Sequence, residues 1–141
     1  MQNDSYTRPL IFIVDDDEDD LYFIKTALLN TIPNSLVKCF IHGKQLIDAL
    51  DEWTDDLPSF ILMDLNMPFL DGKETLQQLN SRGVVSKIPV IIFSTSNNPR
   101  EKSQCLQYGA TAYHSKPSLV NVYDDIMQGL KKEFIDRVAV I

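Results

Sequence analysis

A short apolar run that ends in an aspartate is the feature that most constrains the fold of this chain. Residues 60–63 are four consecutive apolar residues directly before Asp64, and Pro68 and Asp71-Gly72 follow within eight positions. Such a run is typical of a strand buried on both faces of a parallel sheet. Proline and the Asp-Gly pair then end the strand in a loop. Asp64 is expected at the carboxyl end of a strand, where open α/β sheets bind ligands, although these residues alone fit a loop-capping role equally well.

Strand-like and helix-like segments alternate along the rest of the chain. Continuous apolar runs predict buried strands at residues 10–14, 60–63 and 90–93. Weak alternation predicts an edge-like strand at 36–41, and a short strand is predicted at 111–114. A helix is predicted after each strand from apolar residues at helical spacing or from helix-start residues, the last one reaching about residue 134. The fourth helix has few apolar residues and is expected to face mostly solvent. Five alternations predict an α/β, flavodoxin-like fold: a doubly wound, five-stranded parallel sheet in the order 2-1-3-4-5, with helices on both faces. The second and fifth strands are expected at the edges.

Polar residues indicate where the later helices begin. Asp71, with Glu74 three residues on, has the pattern of a capping box. Asn98 before Pro99 is a strong helix start. Ser118 is the expected cap of the last helix, whose inward stripe is predicted to include Leu119.

Reactive side chains follow four of the five predicted strands. They are Asp15 and Asp16, Asp64, Ser94 and Lys116. Because the first and third strands are neighbours in the predicted order, three carboxylates converge. Two like charges ~4 Å apart repel by roughly 4 kcal/mol at an effective dielectric near 20, so a cation is expected among them. A hard divalent ion with few protein ligands and several waters matches Mg²⁺.

This combination suits the transfer of a phosphoryl group. Mg²⁺ and Lys116 can neutralise the oxygens of an anionic donor, and Ser94 can donate a hydrogen bond to one of them. Asp64 would attack the phosphorus in line and become an aspartyl phosphate.

Five motifs together resemble those of response-regulator receiver domains of the chemotaxis-regulator type, and they span residues 10 to about 134. They are Ile13-Val14-Asp15-Asp16, Met63-Asp64-Leu65-Asn66-Met67-Pro68 with Asp71-Gly72, Phe93-Ser94-Thr95-Ser96, Tyr108-Gly109-Ala110-Thr111-Ala112-Tyr113, and Lys116-Pro117. The resemblance implies a phosphoprotein of a two-component system, acting as a switch in phosphorelay signal transduction.

The resemblance also implies a role for each residue of the reaction site. Asp64 matches the phosphoacceptor and a metal ligand. Asp16 matches the direct metal ligand, Asp15 an acid that acts largely through water, and Asn66 the position whose backbone carbonyl completes the metal shell. Lys116 matches the lysine that contacts the phosphoryl group.

A second set of matching positions concerns switching and lifetime. Ser94 matches the switch hydroxyl and Tyr113 the switch aromatic. Asn66 and Ser96 match the two variable positions that tune dephosphorylation. The family usually has a cis peptide bond before the proline that follows the lysine, which is expected here between Lys116 and Pro117.

The implied partners are a sensor histidine kinase or a histidine phosphotransfer protein, and a downstream protein that the sequence does not name. The expected organisation is an N-terminal lead (1–8), a receiver domain (9–136) and a C-terminal tail (137–141) without an output domain. The chain is expected to be no enzyme beyond catalysing its own Mg²⁺-dependent phosphorylation and dephosphorylation.

Composition excludes several other classes. A net charge of −7 argues against nucleic-acid binding, because no basic patch is available to meet phosphates. A polar N-terminus and the lack of an apolar run near ~20 residues argue against a signal peptide and a membrane span, so a cytoplasmic protein is expected. Cys39 and Cys105 are expected to be buried thiols.

Rival assignments fail at particular positions. A haloacid-dehalogenase-type phosphatase needs Asp-x-Asp-x-Thr, which neither aspartate-rich segment provides. A calcium loop that starts at Asp15 would have Asp20 where glycine is required and Thr26 where glutamate is required. Flavodoxins proper have a phosphate loop after the first strand, where this chain is acidic, and inactive receivers lose the acids or the lysine. One ambiguity remains: Asp17 extends the acidic pair, so its register could shift by one residue, although Val14 before the pair favours the register chosen.

Overall fold

The computed structural model describes residues 8–68 and 70–136. The predicted tail, 137–141, and residues 1–7 of the predicted lead lie outside the described residues, and the predicted boundaries of the receiver domain stay predictions. The strands are β1 (Leu10–Val14), β2 (Leu36–Phe40), β3 (Phe60–Met63), β4 (Val90–Ser94) and β5 (Ala112–Ser115). The helices are α1 (Glu18–Thr31), α2 (Gly43–Asp51), α3 (Gly72–Ser81), α4 (Pro99–Gln107) and α5 (Val120–Lys131). Among the described residues, no helix is long and apolar enough to cross a membrane.

All strands pair in parallel, in the order β2-β1-β3-β4-β5, so the predicted flavodoxin-like sheet and its two edge strands are confirmed. The sheet separates two hydrophobic clusters. Phe12 and Val14 of β1 belong to the cluster shared with α2, α3 and α4, whereas Ile11 and Ile13 belong to the cluster shared with α1 and α5. Because successive strand residues point to opposite faces, a strand covered on both faces is apolar throughout.

Three predicted local features are confirmed. Asp71 and Glu74 form both hydrogen bonds of a capping box at the start of α3. The Asn98 side chain accepts a hydrogen bond from the backbone N–H of Arg100 at the start of α4, with Pro99 as the first helical residue. Cys105 is the one residue of α4 that is fully buried, as expected for a helix with few apolar side chains.

Three predictions about single positions are wrong: Ser118 as the cap of α5, Leu119 in the inward stripe of that helix, and Cys39 as a buried thiol. The residue that caps α5 is Leu119, without a side-chain hydrogen bond, and the helix begins at Val120. Leu119 is 63% exposed, since it precedes the helix and the face toward the core starts at Tyr123. Cys39, predicted to be buried, is exposed because it lies on the edge strand β2.

Candidate functional site

The site lies at the carboxyl edge of the sheet, where backbone hydrogen bonds continue the strand ladders into the loops. The N–H of Asp15 donates to the carbonyl of Phe40 (3.0 Å), and the N–H of Asp64 donates to the carbonyl of Val14 (2.9 Å). The N–H of Lys116 donates to the carbonyl of Ser94 (2.7 Å). Each reactive residue is therefore held by a neighbouring strand, which limits its backbone motion.

Asp15, Asp16 and Asp64 form one carboxylate group. Each offers an oxygen, and the three oxygens lie within 4.8 Å of one another. Asp15 and Asp64 are buried, whereas Asp16 is exposed. A set made only of carboxylate oxygens, open on one side, fits a hard divalent cation that retains water ligands.

Asp17 has a different task, which bears on the register of the acidic pair. Its carboxylate accepts the backbone N–H groups of Asp19 (2.8 Å) and Asp20 (3.1 Å), and so caps α1. The N–H of Asp17 in turn donates to the Asp15 carboxylate (2.9 Å). Because its oxygens face the helix start, the geometry favours the register that pairs Asp15 with Asp16.

Lys116 is surrounded by carboxylates. Its Nζ lies 2.7 Å from Asp15 Oδ2, 2.8 Å from Asp20 Oδ2 and 3.4 Å from Asp64 Oδ1. The side chain of Lys116 is only 5% exposed. The ammonium group therefore partly offsets the charge of the carboxylate group from within the protein.

Asp20 is a site residue that sequence reasoning missed. It follows Asp16 by four positions and lies in the first turn of α1. Side chains on a helix tilt toward its N-terminus, which brings Asp20 back over the site. That spacing was a usable signal, but in a run of six acids it could not be separated from helix capping.

Burial and charge together set the protonation of the buried groups. Burial raises the pKa of Asp15 to about 6, and the hydrogen bond from Lys116 opposes the rise. Burial also raises the pKa of Asp64 above its ordinary value, against the charge of Lys116. Burial lowers the pKa of Lys116, but hydrogen bonds to Asp15 and Asp20 outweigh it and the net pKa is raised. The lysine is thus held as an ammonium.

Ser94, Ser96 and Tyr113 are joined by two hydrogen bonds. Ser94 is fully buried at the end of β4, and its Oγ accepts the backbone N–H of Ser96 (3.2 Å). The Tyr113 hydroxyl donates to the backbone carbonyl of Ser96 (2.8 Å). Ser96 Oγ accepts the N–H of Asn98, the residue that caps α4. The loop from β4 to α4 is therefore tied to both predicted switch residues.

The remaining predicted positions lie in the loops around Asp64 and Lys116. Asn66 is exposed, and a hydrogen bond from its backbone opposes the rise in the pKa of Asp64. A Cβ added at Gly72 would lie 2.5 Å from the Asp64 carbonyl oxygen, so only glycine permits this approach. The described residues contain no cis peptide bond, so the expectation of a cis bond between Lys116 and Pro117 is wrong.

Known proteins have sequences similar to that of this chain. A family model, the response regulator receiver domain, matches residues 11–128. Protein PilH of Pseudomonas aeruginosa is 34% identical over 107 residues, which cover 76% of this chain and 84% of PilH. A probable cyclic di-GMP phosphodiesterase of Vibrio cholerae is 28% identical over 117 residues, or 83% of this chain. This chain spans only 25% of the length of that relative.

Solved structures share the fold. The phosphorylated cyanobacterial phytochrome response regulator RcpA has a TM-score of 0.84 and 26% identity, over 93% of this chain and 96% of RcpA. The Mn²⁺-bound form of response regulator Rcp1 has a TM-score of 0.79 and 21% identity, over 91% of this chain and 95% of Rcp1. At that identity the second likeness concerns the fold alone.

Proposed function

The chain belongs to the response-regulator receiver family, and from that premise we propose that it accepts a phosphoryl group on Asp64 and acts as a phosphorylation-dependent switch. One observation carries the proposal: Asp64 lies both in the group of three carboxylates and 3.4 Å from the buried Lys116 ammonium. An acid placed between a cation site and a fixed positive charge can react with an anionic donor, because the positive charges reduce the repulsion between the two anions. The proposed donor is a sensor histidine kinase or a histidine phosphotransfer protein.

The transfer moves one phosphoryl group. An oxygen of the ionised Asp64 forms a bond to phosphorus as the P–N bond of a phosphohistidine breaks, and the bonding pair returns to the histidine nitrogen. Lys116 favours the ionised form of Asp64, against the effect of burial on its pKa. Lys116 Nζ lies 3.4 Å from the reacting carboxylate, and Ser94 ends β4, the strand next to β3. Both side chains would contact the phosphoryl oxygens.

Asp15, Asp16 and Asp64 would hold Mg²⁺, with the backbone carbonyl of Asn66 as the further expected ligand. When bound, the ion supplies positive charge that neutralises the phosphoryl oxygens. The oxygen-only donor set supports a hard ion. Response regulator Rcp1, which shares the fold, is known in a Mn²⁺-bound form.

The switch is proposed to act through Ser94 and Tyr113 on the surface formed by α4, β5 and α5. A hydrogen bond from the Ser94 hydroxyl to a phosphoryl oxygen would change the contact between Ser94 Oγ and the backbone N–H of Ser96. Helix α4 has one fully buried residue, so its local rearrangement costs little. A downstream protein that contacts this surface differently in the two states would read the change.

Mass spectrometry after incubation with acetyl phosphate and Mg²⁺ tests the function directly. We expect the mass of one phosphoryl group on the wild type, and none on Asp64→Asn or in EDTA. Asp125→Asn, which removes an exposed acid of α5, is the matched control and should be labelled like the wild type. Equal labelling of Asp64→Asn would show that another residue is the acceptor.

A further inference from the structure

We propose that Asp20 is a positioning residue, which holds Lys116 in its phosphate-free position and releases it when Asp64 is phosphorylated. The inference rests on the proposed function and adds a residue to it. It starts from the 2.8 Å contact between Lys116 Nζ and Asp20 Oδ2. Asp20 lies in the first turn of α1, whereas the other partners of Lys116 lie at strand ends.

The ammonium group of Lys116 is already engaged, because it donates hydrogen bonds to Asp15 and Asp20 and pairs with Asp64. A lysine carries three N–H donors, and three carboxylates lie within 3.4 Å of Lys116 Nζ. A phosphoryl oxygen on Asp64 would compete with these carboxylates for the same ammonium group. We therefore expect phosphorylation of Asp64 to change the partners of Lys116.

Asp20 is the partner best suited to leave. Its side chain is 25% exposed, whereas those of Asp15 and Asp64 are 2% and 7% exposed. Asp15 also accepts the N–H of Asp17 and belongs to the carboxylate group, and Asp64 is the proposed acceptor. A carboxylate that turns into solvent recovers its hydration, while a buried one would lose its partner without compensation.

The helix does not depend on the Asp20 carboxylate. The backbone N–H of Asp20, not its side chain, completes the cap with Asp17. Asp20→Asn keeps that bond and nearly the same volume, so the variant tests the charge and not the fold. Asp19→Asn is the matched control, because it removes the same charge from the neighbouring residue, whose side chain is exposed.

The first experiment measures the rate at which phosphoramidate, with Mg²⁺, labels Asp64. A partly exposed ion pair contributes little, so we expect Asp20→Asn to react roughly threefold faster than the wild type and Asp19→Asn to react at close to the wild-type rate. Asp20→Glu keeps a carboxylate within reach of Lys116 and should also react at close to the wild-type rate. Equal rates for Asp20→Asn and Asp19→Asn would overturn the inference.

A double-mutant cycle separates positioning from simple repulsion of the anionic donor. If Asp20 acts through Lys116, Asp20→Asn has no effect on the rate in a Lys116→Met background. The same acceleration in both backgrounds would show repulsion alone and overturn the inference.

A measurement without donor or metal completes the test. Hydrogen exchange of the Lys116 ammonium, followed by NMR, should be faster in Asp20→Asn than in Asp19→Asn, and equal exchange would contradict the proposed contact. If the wild type takes no phosphoryl group on Asp64, the proposed function fails. If the wild type is labelled but the variants do not differ, only the role of Asp20 fails.

Discussion

The hydroxyl of Tyr113 donates a 2.8 Å hydrogen bond to the backbone carbonyl of Ser96, which joins β5 to the loop between β4 and α4. The backbone N–H of Ser96 donates a hydrogen bond to Ser94 Oγ. Ser96 is therefore held on one side by the predicted switch hydroxyl and on the other by the predicted switch aromatic. Movement of Ser94 toward a phosphoryl group would change the position of the carbonyl that Tyr113 binds.

Tyr113→Phe removes this bond and keeps the ring. We expect a loss of about 1 kcal/mol in the free energy of unfolding, because a part-buried carbonyl loses its donor. Amide exchange of the wild type should differ across residues 94–117 with and without beryllofluoride, and Tyr113→Phe should reduce that difference. Tyr22→Phe, at a side chain that is 65% exposed, is the control and should change neither quantity. Identical exchange in residues 94–117 with and without beryllofluoride would argue against the switch.

The two adjacent acids Asp16 and Asp17 should respond oppositely to substitution by alanine. Asp16→Ala removes a carboxylate from the crowded group, so the metal-free protein should become more stable while the affinity for Mg²⁺ falls by about tenfold or more. Asp17→Ala removes the cap of α1, so it should cost about 1 kcal/mol and leave the Mg²⁺ affinity close to that of the wild type. Calorimetric titration with Mg²⁺ and urea unfolding in EDTA give the two quantities. The reverse pattern of affinities would mean that the register is shifted by one residue.

Gly72 supports the loop that carries Asp64. A Cβ there would lie 2.5 Å from both the Asp64 carbonyl oxygen and Leu65 Cα, and these backbone atoms cannot rotate away. We expect Gly72→Ala to lower the free energy of unfolding by about 1–3 kcal/mol and to slow the labelling of Asp64. Gly129→Ala is the control: its Cβ would meet nothing within 4 Å, and alanine in the α5 interior should stabilise by up to about 1 kcal/mol. Equal unfolding curves for the two variants would contradict the close approach.

The central strands were predictable because a strand that is buried on both faces requires a short continuous apolar run, and few other structural elements have this sequence pattern. Residues 60–63 show this, since all four are buried in β3. The parallel sheet followed from the alternation and from right-handed crossovers, and its order from the weaker second and fifth strands, which suit the edges of the sheet. That order alone brought the carboxyl ends of β1 and β3 together.

Features that depend on tertiary direction were not predictable in the same way. The Asp20 carboxylate contacts Lys116 across 96 positions of sequence, so the contact depends on the tertiary placement of the first turn of α1. Ser118 has the right chemistry for a cap, but α5 begins two residues later, at Val120. The edge position of β2 exposes Cys39, whose apolar sequence neighbours indicated burial.

The lifetime of the aspartyl phosphate is expected to depend on Ser96. Hydrolysis needs a water in line with the phosphorus, and positioning contributes more than proton removal in phosphoryl transfer. Ser96 is short, and its Oγ already accepts the N–H of Asn98, so it neither blocks that water nor holds it firmly. Asn66, the other tuning position, can orient a water with its amide but cannot act as a base. Together they predict self-dephosphorylation at an intermediate rate.

Substitutions at Ser96 should move that rate in both directions. Ser96→Gln or Ser96→Glu should speed decay, because a longer side chain can position the water, whereas Ser96→Tyr should slow it by occlusion. Thr95→Gln, at the exposed neighbouring residue, controls for disturbance of the loop and should decay like the wild type. Decay of the phosphoprotein is followed after the donor is removed. Wild-type rates in all three Ser96 variants would mean that Ser96 does not face the water path and that Ser94 is not the switch hydroxyl.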